Sequence, residues 1–124
     1  MRVLFEQTGG FIVARAQGPV LDAVCAGDFK RALVARISEG GASLVLDLST
    51  VLEIDSSGLG ALVAVLKASR LHGGSFEIAG VQPGVHRVMG ITRLDRVLTI
   101  RGSVEETVGA PTAQERPEGA GRRG

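Results

Sequence analysis

Residues Ser43 to Leu71 read "SLVLDLSTVLEIDSSGLGALVAVLKASRL". The first six, "SLVLDL", are apolar almost throughout and too few for an ordinary helix, which fits a strand covered on both faces and so the sheet centre. From Leu59 onward, Leu62, Val63, Leu66 and, with a looser fit, Arg70 recur at helical spacing, and Ala61, Ala64, Val65 and Ala68 widen the apolar surface to more than one side. A strand, a loop and a buried helix place Asp55, Ser56 and Ser57 at the carboxyl end of a sheet, where open α/β folds engage ligands and partners.

Working outward, His72-Gly73-Gly74 ends this helix, Ser75 to Ala79 alternates as a strand, and Pro83 can open a helix with Val85, Val88 and Met89 on its apolar face. Val97 to Arg101, "VLTIR", reads as a last strand. Toward the start of the chain, Arg2 to Glu6 and Phe11 to Ala16 flank Gln7-Thr8-Gly9-Gly10, the turn chemistry of a hairpin. Gly18-Pro19 breaks the pattern. A helix from about Ala23 to Glu39 follows, with Ala26, Phe29, Leu33 and Ile37 on one face and Gly40-Gly41 as its stop. This order predicts an α/β domain over residues 1–109, with a mixed, partly parallel sheet of about five strands and three to four helices. Residues 110–124, "APTAQERPEGAGRRG", lack large apolar groups and are expected to form a disordered tail.

The 124 residues are 44% hydrophobic and carry a formal net charge of +1, with a mean hydropathy of +0.24. One domain with a real core is the expectation. No block of like charge offers a nucleic-acid footprint, and with no Trp, no Tyr and four Phe the chain has little for base stacking. No nucleic-acid partner is expected. Apolar runs fall short of the roughly 20 residues that span a bilayer, so no membrane partner is expected either. Cys25, the one cysteine, cannot make an internal disulfide and no basic-then-apolar leader opens the chain, which suggests a reducing, cytoplasmic setting. His72 and His86 are too far apart to suggest a metal site.

Several chemistries fail at the serine junction. Gly58-Leu59-Gly60 is followed by Val63 where a dinucleotide-binding loop needs its third glycine, so a nucleotide-binding or weakly hydrolytic enzyme rests on that loop alone. No Walker loop or G-x-S-x-G elbow occurs, and no nearby histidine could activate a serine nucleophile. No enzyme activity and no cofactor are expected. Two readings stay open: Asp55, Ser56 or Ser57 caps the helix while the glycines let it approach the sheet, or a serine receives a phosphate. A phosphoserine adds about −1.5 to −2 charge, tolerated at a helix N-terminus but disruptive to any partner packed on the bare hydroxyl.

"LVLDLSTVLEIDSSGLGALVAVLKASRLHGG" closely resembles the STAS domains of bacterial anti-sigma factor antagonists, and "GVQPGVHRVMGITRLDRVLTI" is similar to the downstream helix and last strand of that family. The likeness runs from about Val3 to Val108. It implies the STAS fold and a regulator that, unphosphorylated, sequesters an anti-sigma factor, commonly a serine kinase of the GHKL ATPase type, and so frees a sigma factor. Phosphorylation by that partner with ATP releases it, and a PP2C-type phosphatase resets it. By the same resemblance Ser56 is the phosphoacceptor. Asp55, Ser57 and Gly58 match its flanking motif, and Asp22 in "GPVLDA" matches an acid held next to it. With Leu59 at the start of the helix, these residues would form the partner surface.

Two departures from the family pattern stand out. "GPVLD" is one residue longer than the common G-x-L-D, which could displace the loop of Asp22, and Glu53 replaces a residue that is often apolar, adding a carboxylate near Ser56. Ser57 is expected to cap the helix or shape the docking surface. The alternative function is a non-switched STAS interaction subunit of a lipid-transport ABC complex or a stressosome-like assembly, in which Ser56 and Ser57 act mostly as caps.

Overall fold

The opening hairpin pairs β1 (Arg2–Thr8) with β2 (Phe11–Gln17), in an unbroken antiparallel register from Arg2 opposite Gln17 to Thr8 opposite Phe11. Gly9 and Gly10 form its turn with φ of 57° and 96°, the positive values that let a two-residue turn match the twist of its strands. In this computed structural model, residues 1–40 and 43–109 are described. The tail expected over 110–124, like Gly41 of the expected helix stop, lies outside the described residues.

After β2 come β3 (Val20–Leu21), α1 (Ala26–Ser38), β4 (Leu44–Asp47), β5 (Glu53–Ile54), α2 (Ser56–Leu71), β6 (Phe76–Ala79) and α3 (Pro83–Ile91). A 3-10 turn at Leu94–Arg96, β7 (Thr99–Arg101) and α4 (Val104–Gly109) complete the described chain. The main sheet has the order β1-β2-β4-β6-β7, and β4 pairs in parallel with both β2 and β6. All four residues of β4 are buried, so "SLVLDL" does supply the sheet centre. β3 and β5 form a separate two-stranded parallel ladder.

Alternation along the strands sends side chains to two unequal cores. Ala14, Leu46 and Ile78 point to the larger one, with Phe29, Leu33 and Ile37 of α1, Leu62 and Val65 of α2, and Val85 and Met89 of α3. Val13, Val45 and Ala79 face the other way and are covered by Val104 of α4. Leu33 is completely buried, and cutting it to Ala would cost about 2–5 kcal/mol, transfer and cavity terms together.

Arg15 of β2 crosses this second face. Its Nε donates to Glu6 Oε1 at 3.1 Å and its Nη1 to Asp47 Oδ2 at 2.9 Å. The bond to Glu6 raises the guanidinium pKa above its ordinary value, partial burial works against this, and Asp47 adds to the rise. The Ser49 N–H donates to the other oxygen of Asp47 at 2.9 Å, so the ion pair also secures the chain where it leaves the central strand.

Among the described residues four helices fall within the expected three to four, and two expected boundaries are corrected. The first helix begins at Ala26 rather than Ala23; before it the chain makes a turn in which the N–H groups of Ala23 and Val24 are held by the carboxylates of Asp55 and Asp22 and those of Cys25 and Ala26 share the Asp22 carbonyl. The last strand begins at Thr99 rather than Val97, because the N–H groups of Val97 and Leu98 bond the Leu94 carbonyl instead of a neighbouring strand. The β3–β5 ladder was not foreseen. Neither was α4, where only Val104 and Val108 are large and apolar.

Candidate partner-binding site

Two distant segments are joined at the carboxyl end of the sheet. The Pro19 carbonyl accepts from the N–H groups of Leu52 at 2.8 Å and Glu53 at 3.0 Å, and the Leu21 carbonyl accepts from Asp55 N–H at 3.2 Å. Val20 thereby lies opposite Glu53 and Leu21 opposite Ile54. The ladder delivers the chain to the first turn of α2.

Asp55 is the N-cap, in extended conformation with φ −111° and ψ −174°. Its Oδ1 accepts from Gly58 N–H at 3.0 Å and its Oδ2 from Ala23 N–H at 3.1 Å. One carboxylate thus closes the helix end, where the dipole favours negative charge, and ties down the neighbouring loop. In that loop Asp22 Oδ1 accepts from Val24 N–H at 3.1 Å, and the Asp22 carbonyl starts α1. The extra residue of "GPVLD" therefore does not detach the loop from the serine helix.

At Gly58 the two segments lie too close for a side chain. A β-carbon there would lie 2.5 Å from the Leu21 carbonyl oxygen and 2.7 Å from Ile54 Cγ1, so only hydrogen fits without moving backbone. Gly60 differs, with nothing within 4 Å of its β-carbon position.

Ser56 and Ser57 occupy the first two helical positions of α2 and are both exposed. Neither hydroxyl has a hydrogen-bond partner among the described residues. The cap left open between three residues is Asp55, so the expectation that Ser57 caps the helix is corrected: its short side chain is not needed where the aspartate already reaches Gly58. Ser57 instead borders a groove of about 210 Å³ between α1 and α2, together with Gly27, Lys30 and Gly60.

The other expected site residues divide by burial. Asp22 is half-buried, and Glu53 and Asp55 are exposed; none of the three joins an ion pair among the described residues. Gly58 and Leu59 are buried. Leu59 is only 7% exposed and belongs to the main core, so it holds the helix in place from beneath and offers no surface of its own. Sequence reasoning overlooked three exposed apolar side chains on the joined segments before α1 and α2: Val24 at 90%, Leu52 at 56% and Val20 at 36% exposure. The one available cue was that Val24 lies outside the helical phase of Ala26, Phe29, Leu33 and Ile37.

His72 Nδ1 lies 2.9 Å from the Ala68 carbonyl at the end of α2, a capping arrangement. Among the described residues no group of three or more His, Cys, Asp or Glu side chains could hold a metal ion, and no helix is long and apolar enough to cross a membrane.

The mixed five-stranded sheet, with a serine-bearing helix capped at its carboxyl edge, defines a small α/β domain of the STAS fold. The chain belongs to the STAS domain family, whose model matches residues 2–107. A curated relative from Thermotoga neapolitana, named as a candidate anti-sigma factor antagonist, is 36% identical over 72 residues. That stretch is 58% of this chain and 64% of the relative, so the chain spans less than two thirds of the curated relatives it matches. The crystal structure of a candidate anti-sigma factor antagonist from Thermotoga maritima superposes with a TM-score of 0.77 at 26% identity, covering 93% of this chain and 95% of that one. An anti-sigma factor antagonist from Mycobacterium paratuberculosis gives 0.77 at 26% identity, covering 87% and 91%.

Proposed function

We propose that this chain is an anti-sigma factor antagonist whose binding is switched at Ser56. Unmodified, it holds an anti-sigma factor that is a serine kinase of the GHKL type, and a sigma factor is freed for transcription. The kinase transfers the γ-phosphoryl group of ATP to Ser56 Oγ; the Oγ–P bond forms, the bond to the ADP oxygen breaks, and the hydroxyl proton is lost. A PP2C-type phosphatase hydrolyses the ester and restores the hydroxyl. The chain works in the cytoplasm and contributes no catalytic group of its own.

The observation that carries this reading is the contrast between Asp55 and Ser56. Both carboxylate oxygens of Asp55 are engaged in holding the site together, whereas the adjacent hydroxyl is exposed and unpartnered among the described residues. A phosphate can be added there without breaking a bond of the fold. It would stand beside Asp55 and close to Glu53, turning a surface of hydroxyls, acids and the apolar Val20, Val24 and Leu52 into a strongly anionic one.

Incubating the protein with its cognate kinase and ATP, followed by peptide mass spectrometry, tests the assignment. Phosphate on Ser56 is expected. Phosphate on Ser57 alone, or on neither serine, would overturn it.

A further inference from the structure

The two edges of the main sheet are unequal. On one side β7 is three residues long, whereas β1 runs for seven with no proline, lysine or glycine. Its one-to-one register with β2 contains no bulge. Long, straight edges of this kind are templates for further strand pairing, and short strands, bulges, Lys and Pro are the usual means of blunting them.

The direction of the free backbone groups follows from one bond. Ile12 N–H donates to Ser43 O on the β4 side, so Ile12 and its partner Gln7 are a non-hydrogen-bonded pair of the hairpin. By antiparallel alternation the N–H and C=O groups of Val3, Phe5 and Gln7 point away from the sheet. Among the described residues nothing outside the hairpin bonds them.

We propose that this edge pairs antiparallel with β1 of a second copy of the chain, about a two-fold axis at Leu4. In that register Val3 and the second copy's Phe5 exchange outward backbone hydrogen bonds, and the symmetric pair does the same. On the face away from α1 to α3, Arg2 meets the second copy's Glu6, Glu6 meets its Arg2, and the two Leu4 side chains touch at the axis. Each of these side chains is available. Arg2 joins no ion pair among the described residues, Glu6 uses only Oε1, on Arg15, and Leu4 is 43% exposed.

Self-complementarity selects this register. Moving the axis to Phe5 keeps outward backbone groups facing each other, but sets Leu4 against Glu6 and Arg2 against Thr8 and loses both ion pairs. An isologous contact of this kind closes on itself as a dimer and joins two five-stranded sheets into one. The residues around Ser56 lie on other segments, so the pairing stands apart from the proposed switch.

Sedimentation equilibrium of the full chain across a dilution series is the test. The wild type is expected to rise from 12.8 kDa toward twice that mass with concentration. Arg2→Glu and Glu6→Arg, each folded by circular dichroism, are each expected to stay monomeric. An equal mixture of the two is expected to dimerise again, because the mixed pair restores opposite charges at both contacts. Leu4→Lys supplies a third variant, monomeric through repulsion at the axis, should a charge reversal fail to fold. A wild type monomeric at every concentration, a dimer that survives these changes, or a mixture that stays monomeric would each overturn the proposal.

Discussion

The carbonyl oxygen of Leu21 stands 2.5 Å from where a β-carbon of residue 58 would be. This approach makes Gly58 the position at which the loop before α1 and the start of α2 are fitted together. Gly58→Ala is expected to lower unfolding free energy by about 2–4 kcal/mol, since the methyl group meets backbone that cannot rotate away. Gly60→Ala, with open space at its β-carbon, is expected to raise it by about 0.5–1 kcal/mol through helix propensity. Urea unfolding of the two variants checks both signs.

Asp55→Ala removes a helix cap and the Ala23 contact together. A loss of about 1–2 kcal/mol is expected from the cap, and more if the loop does not find another acceptor. Amide hydrogen exchange provides the specific readout. Protection should fall at Ala23 and Gly58, while β4, in the sheet centre, keeps its own.

Ser56→Asp separates binding from folding. The added carboxylate lies at an exposed helix N-terminus, so stability should stay within about 0.5 kcal/mol of the wild type. Affinity for the anti-sigma factor should fall by about 2–5 kcal/mol, because the partner must then cover an uncompensated charge. Titration calorimetry showing equal affinities would count against the switch.

Val24→Ser and Leu52→Ser test the apolar rim. Both side chains are more than half exposed, and the double variant should unfold within about 1 kcal/mol of the wild type, as expected of surface changes. Binding to the anti-sigma factor should weaken by at least about 1 kcal/mol if these residues anchor the contact. A double variant with wild-type affinity would remove them from the interface.

The main architecture could be read from the chain because its signals are periodic and long. Ala26, Phe29, Leu33 and Ile37 are all buried as their spacing required, and Arg70, the loose fit in the second helix, is exposed. The β3–β5 ladder could not be read the same way, since two residues carry no period and their pairing depends on the chain between them. The site was legible in part. Motif and resemblance brought Asp22, Glu53, Asp55, Ser56 and Ser57 into view, and the structure sets these around the start of α2. The choice of Asp55 as the cap, and the burial of Leu59, depend on how closely the helix approaches Leu21, which no local pattern encodes. Val24 and Leu52 escaped because an isolated apolar residue in a loop has no pattern to betray its exposure.

Asp55 reaches across 32 residues of sequence to Ala23, and this distance affects when the site can exist. A contact between remote segments exists only while the intervening chain is closed into a loop, so this one is absent from any molecule in which that loop is open. A chain still collapsing would display a serine without the frame around it. A kinase that requires the frame would therefore phosphorylate finished molecules and pass over those still folding, so the same contact that shapes the surface would also act as its quality control.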